Sequence, residues 1–188
     1  MTRLLTGEEF LELFTSFRHT AYRLELRDRY NVPAETDRLA AYAAGDWDEL
    51  ERLNTIQRKP WMDLMRAATA VGKRVERVRV VTEPLSPYME FTLHLTAGNI
   101  AAGEDIRFLP RDQAAGLDLP TVDAWLFDSW FIVVGRFNDD DELEAWEYVD
   151  HPAAVVEHCA GRDAAWHHAI RYNEYARKWQ GAERTSGA

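Results

Sequence analysis

The sequence predicts an α+β fold: N-terminal helices packed on a mixed sheet of roughly four to five strands and closed by a C-terminal helix. Three observations point there. Residues 6–72 carry cap signals and apolar spacing of helical period. From residue 75 the spacing changes to short, valine-rich and aromatic runs of period two. A proline-initiated helical stretch then begins at Pro152. Helices, a block of strands and a closing helix are the order of an α+β architecture.

The elements follow in order. Thr6 and Glu9 fit a capping box, in which the hydroxyl accepts from a free amide and the carboxylate reaches back. Phe10, Leu13, Phe14 and Phe17 then fall at i, i+3, i+4 and i+7, an apolar face that must be buried. Tyr22, Leu24 and Leu26 alternate with Arg23, Glu25 and Arg27, the pattern of a strand with a charged, solvated face. Asn31-Val32-Pro33 breaks it. Glu35–Tyr42 reads as a short helix stopped by Gly45-Asp46, and Asp46 caps another through about Arg58. Pro60 suits the first turn of the next helix, Trp61–Val71, where Met62, Met65, Ala68 and Val71 share an apolar face, with Gly72 as its stop.

Val75, Val78, Val80 and Val81 mark a strand, with Arg77 and Arg79 on the face opposite Val78 and Val80. Glu83-Pro84-Leu85-Ser86-Pro87 cannot be helical, because the residue before each proline avoids the α region. Tyr88–Ala97 reads as a helix ended by Gly98. Strands follow at Asp105–Leu109, Ala124–Asp128, Trp130–Phe137 and Glu142–Val149, the last two joined by the turn Asn138–Asp141. The long closing helix runs from Pro152 to about His168, with Asp150 in the cap position and Tyr172–Gln180 continuing it. Residues 181–188 are small and polar and expected to fray, which leaves residues 1–180 as one α+β domain.

Composition bounds the function. Of 188 residues, 46% are hydrophobic and 29% charged, which argues against long disorder. Thirty-two acids against 22 bases give a formal charge of −10, a poor basis for binding a phosphate backbone, so no nucleic-acid partner is expected. The one cysteine, Cys159, excludes an internal disulfide. The opening Met1–Glu9 has no apolar core of a secretory signal. No run approaches the ~20 apolar residues of a membrane span. The expectation is a cytoplasmic protein without membrane association.

Several segments together carry a resemblance. They are Arg77-Val78-Arg79-Val80-Val81-Thr82-Glu83-Pro84, Tyr88, Asn99 with Gly103-Glu104-Asp105-Ile106-Arg107, Leu109-Pro110-Arg111 and Trp125-Leu126-Phe127-Asp128. With the Phe10–Phe17 and Cys159–His168 helices, they make nearly the whole chain resemble an actinobacterial family, domain of unknown function 6879. The resemblance implies a cytoplasmic protein encoded near helix-turn-helix regulators and brings no catalytic residues. After Ser129 the family pattern implies basic residues, whereas this chain has Trp130-Phe131; these repack a sheet face or make a cleft more aromatic. A weaker resemblance, in the order strand, helix, strand and hairpin, is to half of a phospholipase D-like unit. Its His-x-Lys-x-x-x-x-Asp motif is absent, so any kinship is of fold alone.

Motif chemistry is sparse. Cys159 and His167 share a helix face but stand ~12 Å apart along the axis, too far for a nucleophile–base dyad. The histidines have no chelating spacing, and Asp139–Glu142 lacks the glycine-punctuated calcium loop, so no metal is expected. No phosphate-binding glycine loop is present and no cofactor is expected. Asp123 and Asp128 fall on opposite sides of a regular strand. The best polar constellation lies at strand ends: Arg77, Arg79, Glu83, Tyr88, Arg107 and Arg111. If the strands at 77–82 and 105–109 are neighbours, Arg79 and Arg107 converge near Glu83. Such a cluster either holds an anionic ligand or ties the sheet to the helices.

Trp125, Trp130 and Trp146 fall on successive strands, and such residues serve cores, interfaces and pockets alike. Together these features favour a non-catalytic binding or accessory module for a partner protein or small organic ligand. Trp125 is a ligand-binding candidate, and the competing reading is a small-molecule enzyme whose pocket is lined by Trp130 and Phe131, with Tyr88, His94, Glu83 or Arg79 as its polar groups.

Overall fold

In the computed structural model, residues 1–186 are described, with side chains through Trp179. The strands are β1 (Thr2–Leu5), β2 (Thr20–Glu25), β3 (Arg74–Val81), β4 (Asp105–Pro110), β5 (Ala124–Phe127), β6 (Phe131–Phe137), β7 (Leu143–Val149) and β8 (Ile170–Arg171). Among the described residues they form one mixed sheet in the order β1-β7-β6-β5-β2-β3-β4-β8. β2, β3 and β4 run parallel, and every other pairing is antiparallel. The sheet has eight strands, more than the four or five expected. β1 is too short for its alternation to be read, and β8 is only two residues. Strands from the N-terminal half therefore sit within the sheet, with β2 near its middle.

Helices cover both faces. On one side lie α1 (Gly7–Ser16), α2 (Thr36–Ala44), α3 (Trp47–Gln57), α4 (Lys59–Ala70), α5 (Pro87–Ala101) and α8 (Tyr172–Ser186); on the other lie α6 (Arg111–Ala114) and α7 (Pro152–His168). The Thr6–Glu9 capping box forms, and Phe10, Phe14 and Phe17 pack with Met65, Trp125, Phe127 and Val133. On the opposite face, Tyr22, Leu24, Val78, Val80, Leu126 and Ile132 pack with Val155 and Ala165 of α7. Phe108 of β4 stacks on Tyr175 of α8, with ring centroids 4.7 Å apart.

Three local expectations are corrected. Val71 is exposed instead of sharing the buried face of α4. Asp150 does not cap α7; it accepts from the N-terminal amine, and His151 at the cap position makes no side-chain cap bond. α5 runs through Gly98, whose missing side chain leaves room for the Arg58 guanidinium: a Cβ there would lie 3.3 Å from Arg58 Nη1. The helix stops instead before Gly103, whose φ of +99° favours glycine. The expectation of a frayed 181–188 falls on side chains, and at 187–188 on backbone, outside the described residues.

The largest correction concerns the charged side of β2. Arg23 and Glu25 do not face solvent. They belong to the sheet face that the helices α1–α5 cover, and Glu25 is only 4% exposed. Arg77 and Arg79 of β3 share that face, in register with Arg23 and Glu25 respectively. The middle of this covered face is therefore ionic, between an apolar cluster under α1 and α4 and another under α5 and α8.

A candidate anion-binding cavity

The ionic band begins with a conflict that the pairing imposes. Parallel register sets Arg23 directly beside Arg77, two like charges on adjacent strands. Glu25 resolves it. Its Oε1 lies 3.1 Å from Arg23 Nε and accepts from Arg77 Nη1 at 3.2 Å, while Oε2 lies 2.7 Å from Arg79 Nε. Burial alone would raise the Glu25 carboxyl, but Arg79, Arg23 and Arg77 bring it down to about 2.

A second carboxylate closes the floor. Glu104 follows Gly103 at the turn into β4, and its side chain is fully buried. It accepts from Arg77 Nη2 at 2.9 Å, from Trp61 Nε1 at 2.8 Å and from Asn99 Nδ2. Burial opposes the Arg77 charge, yet Glu104 and Glu25 together raise its pKa. Arg58 donates to the Leu95 carbonyl at 3.1 Å and to Asn99 Oδ1. Burial, with Arg38 and Arg79 nearby, lowers its pKa to about 10. Above, Tyr88 donates to Glu35 Oε2 at 3.0 Å, and Arg38 lies 3.7 Å from Glu35 Oε1.

Apart from Glu104, which lies beneath Arg77, these groups line a cavity of about 380 Å³ between the sheet and the helices α1–α5. Its aromatic walls include Trp61, Trp125, Trp146 and Tyr30. The Arg23 guanidinium lies 5.5 Å from the Trp125 ring, 5.9 Å from Tyr30 and 6.0 Å from Trp146, within cation–π range of all three. Five arginines line the cavity: Arg23, Arg38, Arg58, Arg77 and Arg79. Against them stand Glu25 and Glu35 in the wall and Glu104 beneath Arg77. The balance is positive inside a protein whose formal charge is −10.

Donors outnumber acceptors here. Arg38 Nε, Arg77 Nε and Trp125 Nε1 are sealed from solvent without a hydrogen bond among the described residues. The Nη atoms of Arg23 and Arg79 make no hydrogen bond to protein among the described residues, and these side chains keep 17% and 13% of their exposure. Such an interior favours a ligand rich in acceptors.

Of the sequence-based candidates, the structure brings Arg77, Arg79, Tyr88 and Trp125 together in this cavity. The others lie elsewhere. Glu83 accepts from Tyr175 at 2.8 Å and from Lys178 at 2.6 Å, so it ties α8 to the chain ahead of α5. Arg107 does not converge with Arg79. The β3–β4 register places it beside Val78, on the α7 face, where its guanidinium lies 3.7 Å from the Trp166 ring. Arg111 donates to Thr82, the Leu26 carbonyl and Asp28.

His94 lines a separate, wider groove of about 1020 Å³ with Trp47 and Tyr42, and burial lowers its pKa. Trp130 is 68% exposed beside the left-handed turn Asp128–Ser129, and Phe131 stacks on Phe127 at 5.2 Å outside the cavity. Cys159 is half-buried against the α7 core.

Sequence reasoning missed Arg23, Glu25, Glu35, Arg38, Arg58 and Glu104. For Glu25 a signal existed: one acid between two arginines on alternate positions of a strand is a neutralising pattern as well as a solvated one. Nothing in the local sequence marks the others. Among the described residues no group of three or more histidines, cysteines and carboxylates is arranged to hold a metal ion. Among the described residues, too, no helix is long and apolar enough to cross a membrane.

A family model described as a domain of unknown function, DUF6879, matches residues 8–177. The chain belongs to this family. The DUF6879 match runs from α1 into α8 and so includes every residue of the cavity. A comparison with curated proteins finds no match. Among solved structures, similarity is seen to TrmBL2, an archaeal chromatin protein whose structure shows a novel mode of DNA binding, at 9% identity and a TM-score of 0.45, covering 90% of this chain and 52% of that one. Phosphatidylserine synthase of Haemophilus influenzae Rd KW20 is similar at 12% identity and a TM-score of 0.45, covering 94% and 40%. The DUF6879 chain thus spans about half or less of the length of these proteins.

Proposed function

We propose that this DUF6879 protein is a non-catalytic binding module that holds a small organic anion in the arginine-lined cavity. The observation that carries the reading is the buried surplus of guanidinium over carboxylate, with the Nη atoms of Arg23 and Arg79 left without protein acceptors. An uncompensated charge in a low-dielectric interior is expensive, and a bound anion compensates it. At about 380 Å³ the cavity has the size of a small-metabolite site.

The chemistry of the lining supports binding over turnover. The described lining residues include no histidine, cysteine, lysine or serine. Glu25, held near 2, is a weak base, and burial followed by the Glu35 charge raises the pKa of Tyr88. A general acid or base works best with a pKa near the operating pH. The setting we propose, as an accessory to a regulator in an actinobacterial cytoplasm, follows the sequence resemblance alone.

Native mass spectrometry of gently purified protein tests the reading. A retained small molecule is expected in the wild type and lost in Arg79→Met. An empty wild-type protein that also shows no thermal shift across a panel of organic acids would refute it.

A further inference from the structure

The cavity is graded from charge at its floor to apolar surface at its rim. At depth lie Glu25, Arg77 and Glu104, each nearly or fully buried. At the rim, Val32 and Leu143 keep 40% and 41% of their exposure, large apolar side chains open to water at the entrance. Phe137 and Trp146 complete the apolar wall.

Two guanidiniums offer unused forks, Arg23 and Arg79. The Glu25 they share is already engaged by Arg77. Three carboxylates (Glu25, Glu35, Glu104) leave five arginines with two positive charges in excess. Asp123, behind Tyr30, is turned to other donors, the Leu26 amide at 2.7 Å and the Tyr30 hydroxyl at 2.6 Å.

We infer that the ligand is an amphiphilic dianion. Its doubly charged oxyanion head, a phosphate monoester or a dicarboxylate, lies between Arg23 and Arg79. Its compact ring or branched apolar body meets Val32, Phe137, Leu143 and Trp146. The inference rests on the anion-binding reading and narrows it. A lone inorganic anion satisfies the floor and leaves the rim bare, and a neutral aromatic does the reverse. A guanidinium fork matches paired oxygens, while each apolar ångström squared removed from water adds affinity.

Isothermal titration calorimetry near pH 8, above the second ionisation of a phosphate ester at about 6, tests this with five probes. Phenyl phosphate and phenylmalonate present a ring and two charges. Benzoate presents a ring and one charge, benzyl alcohol a ring and none, and inorganic phosphate a head without a body. At least one of the two ring-bearing dianions should bind about tenfold or more tighter than each of the other three. Which of the two is tighter separates a phosphate head from a dicarboxylate head.

Arg79→Met should bring the dianions down to the level of benzoate. Should that variant unfold, Leu143→Ser on the exposed rim gives the second readout: weaker phenyl phosphate with inorganic phosphate unchanged. Benzoate, benzyl alcohol or inorganic phosphate binding as tightly as the best dianion overturns the inference. So does the absence of binding by all five probes. If mass spectrometry of the purified protein meanwhile finds a neutral or singly charged molecule that Arg79→Met releases, the broader binding reading stands and only the dianion falls.

Discussion

Replacing Glu104 by glutamine asks whether the ionic floor of the cavity holds the fold together. The Glu104 carboxylate is fully buried and accepts from Arg77, Trp61 and Asn99. Glutamine keeps the shape, removes the charge and sets an amide donor where an acceptor stood. Arg77 would retain only Glu25, which Arg23 and Arg79 already share. Breaking a buried pair by removing one partner costs about 3–5 kcal/mol, and a donor left without an acceptor adds about 1–3 kcal/mol.

The expected loss is therefore about 4–8 kcal/mol, a large part of the ~5–15 kcal/mol that holds a domain folded. Urea denaturation followed by circular dichroism reads it directly. The companion variant, Arg77→Met with Glu104→Gln, removes the stranded charge as well. It should be more stable than the sum of the single losses implies, by about 2–3 kcal/mol. A loss below about 1 kcal/mol for Glu104→Gln would refute the view that this carboxylate compensates Arg77.

Acid should weaken the fold through Glu25. Its folded pKa, about 2, lies below the ordinary 4.5, so its contribution is complete above pH 4.5 and is lost as pH falls toward 2. That contribution is about 3 kcal/mol, at about 1.4 kcal/mol per pH unit; Glu25→Gln should flatten the acid limb of the stability curve measured by urea unfolding. Gly103→Ala should lower the melting temperature, by the equivalent of at least about 1–3 kcal/mol. The position has φ of +99°, and a Cβ there would lie 2.3 Å from Thr69 Oγ1. Thr6→Ala removes the acceptor of the Glu9 amide and should cost about 1 kcal/mol in the same assay. Trp130→Ser, at an exposed side chain outside the cavity, should change stability by no more than about 0.5 kcal/mol and leave ligand retention intact.

The site was half legible. Arg77, Arg79 and Tyr88 stood out because they cluster at strand and helix ends, and Trp125 because it is a large ring in an apolar run. Their partners did not. Alternation along β2 assigns Arg23 and Glu25 to one face of a strand, but period two does not say what lies over that face. Charge suggests water, and here α1, α4 and α5 lie over it. Arg107 misled for the complementary reason. It alternates just as Arg79 does, yet the β3–β4 register sets it opposite Val78 and so on the other side of the sheet.

The chain's own sequence determined its helices and most of its strands, because caps, prolines and apolar periods act between residues no more than a few positions apart. The Thr6–Glu9 box, the Asp46 cap and the period-two runs at 75–81 and 143–149 are all of that kind. Tertiary structure alone decided the cavity. Glu25, Arg77 and Glu104 are separated by 52 and 27 residues along the chain, and they meet because β2, β3 and β4 align in parallel beneath a helical cover. Pairing over such separations is selected by the burial energy of the whole sheet, and no local segment encodes it.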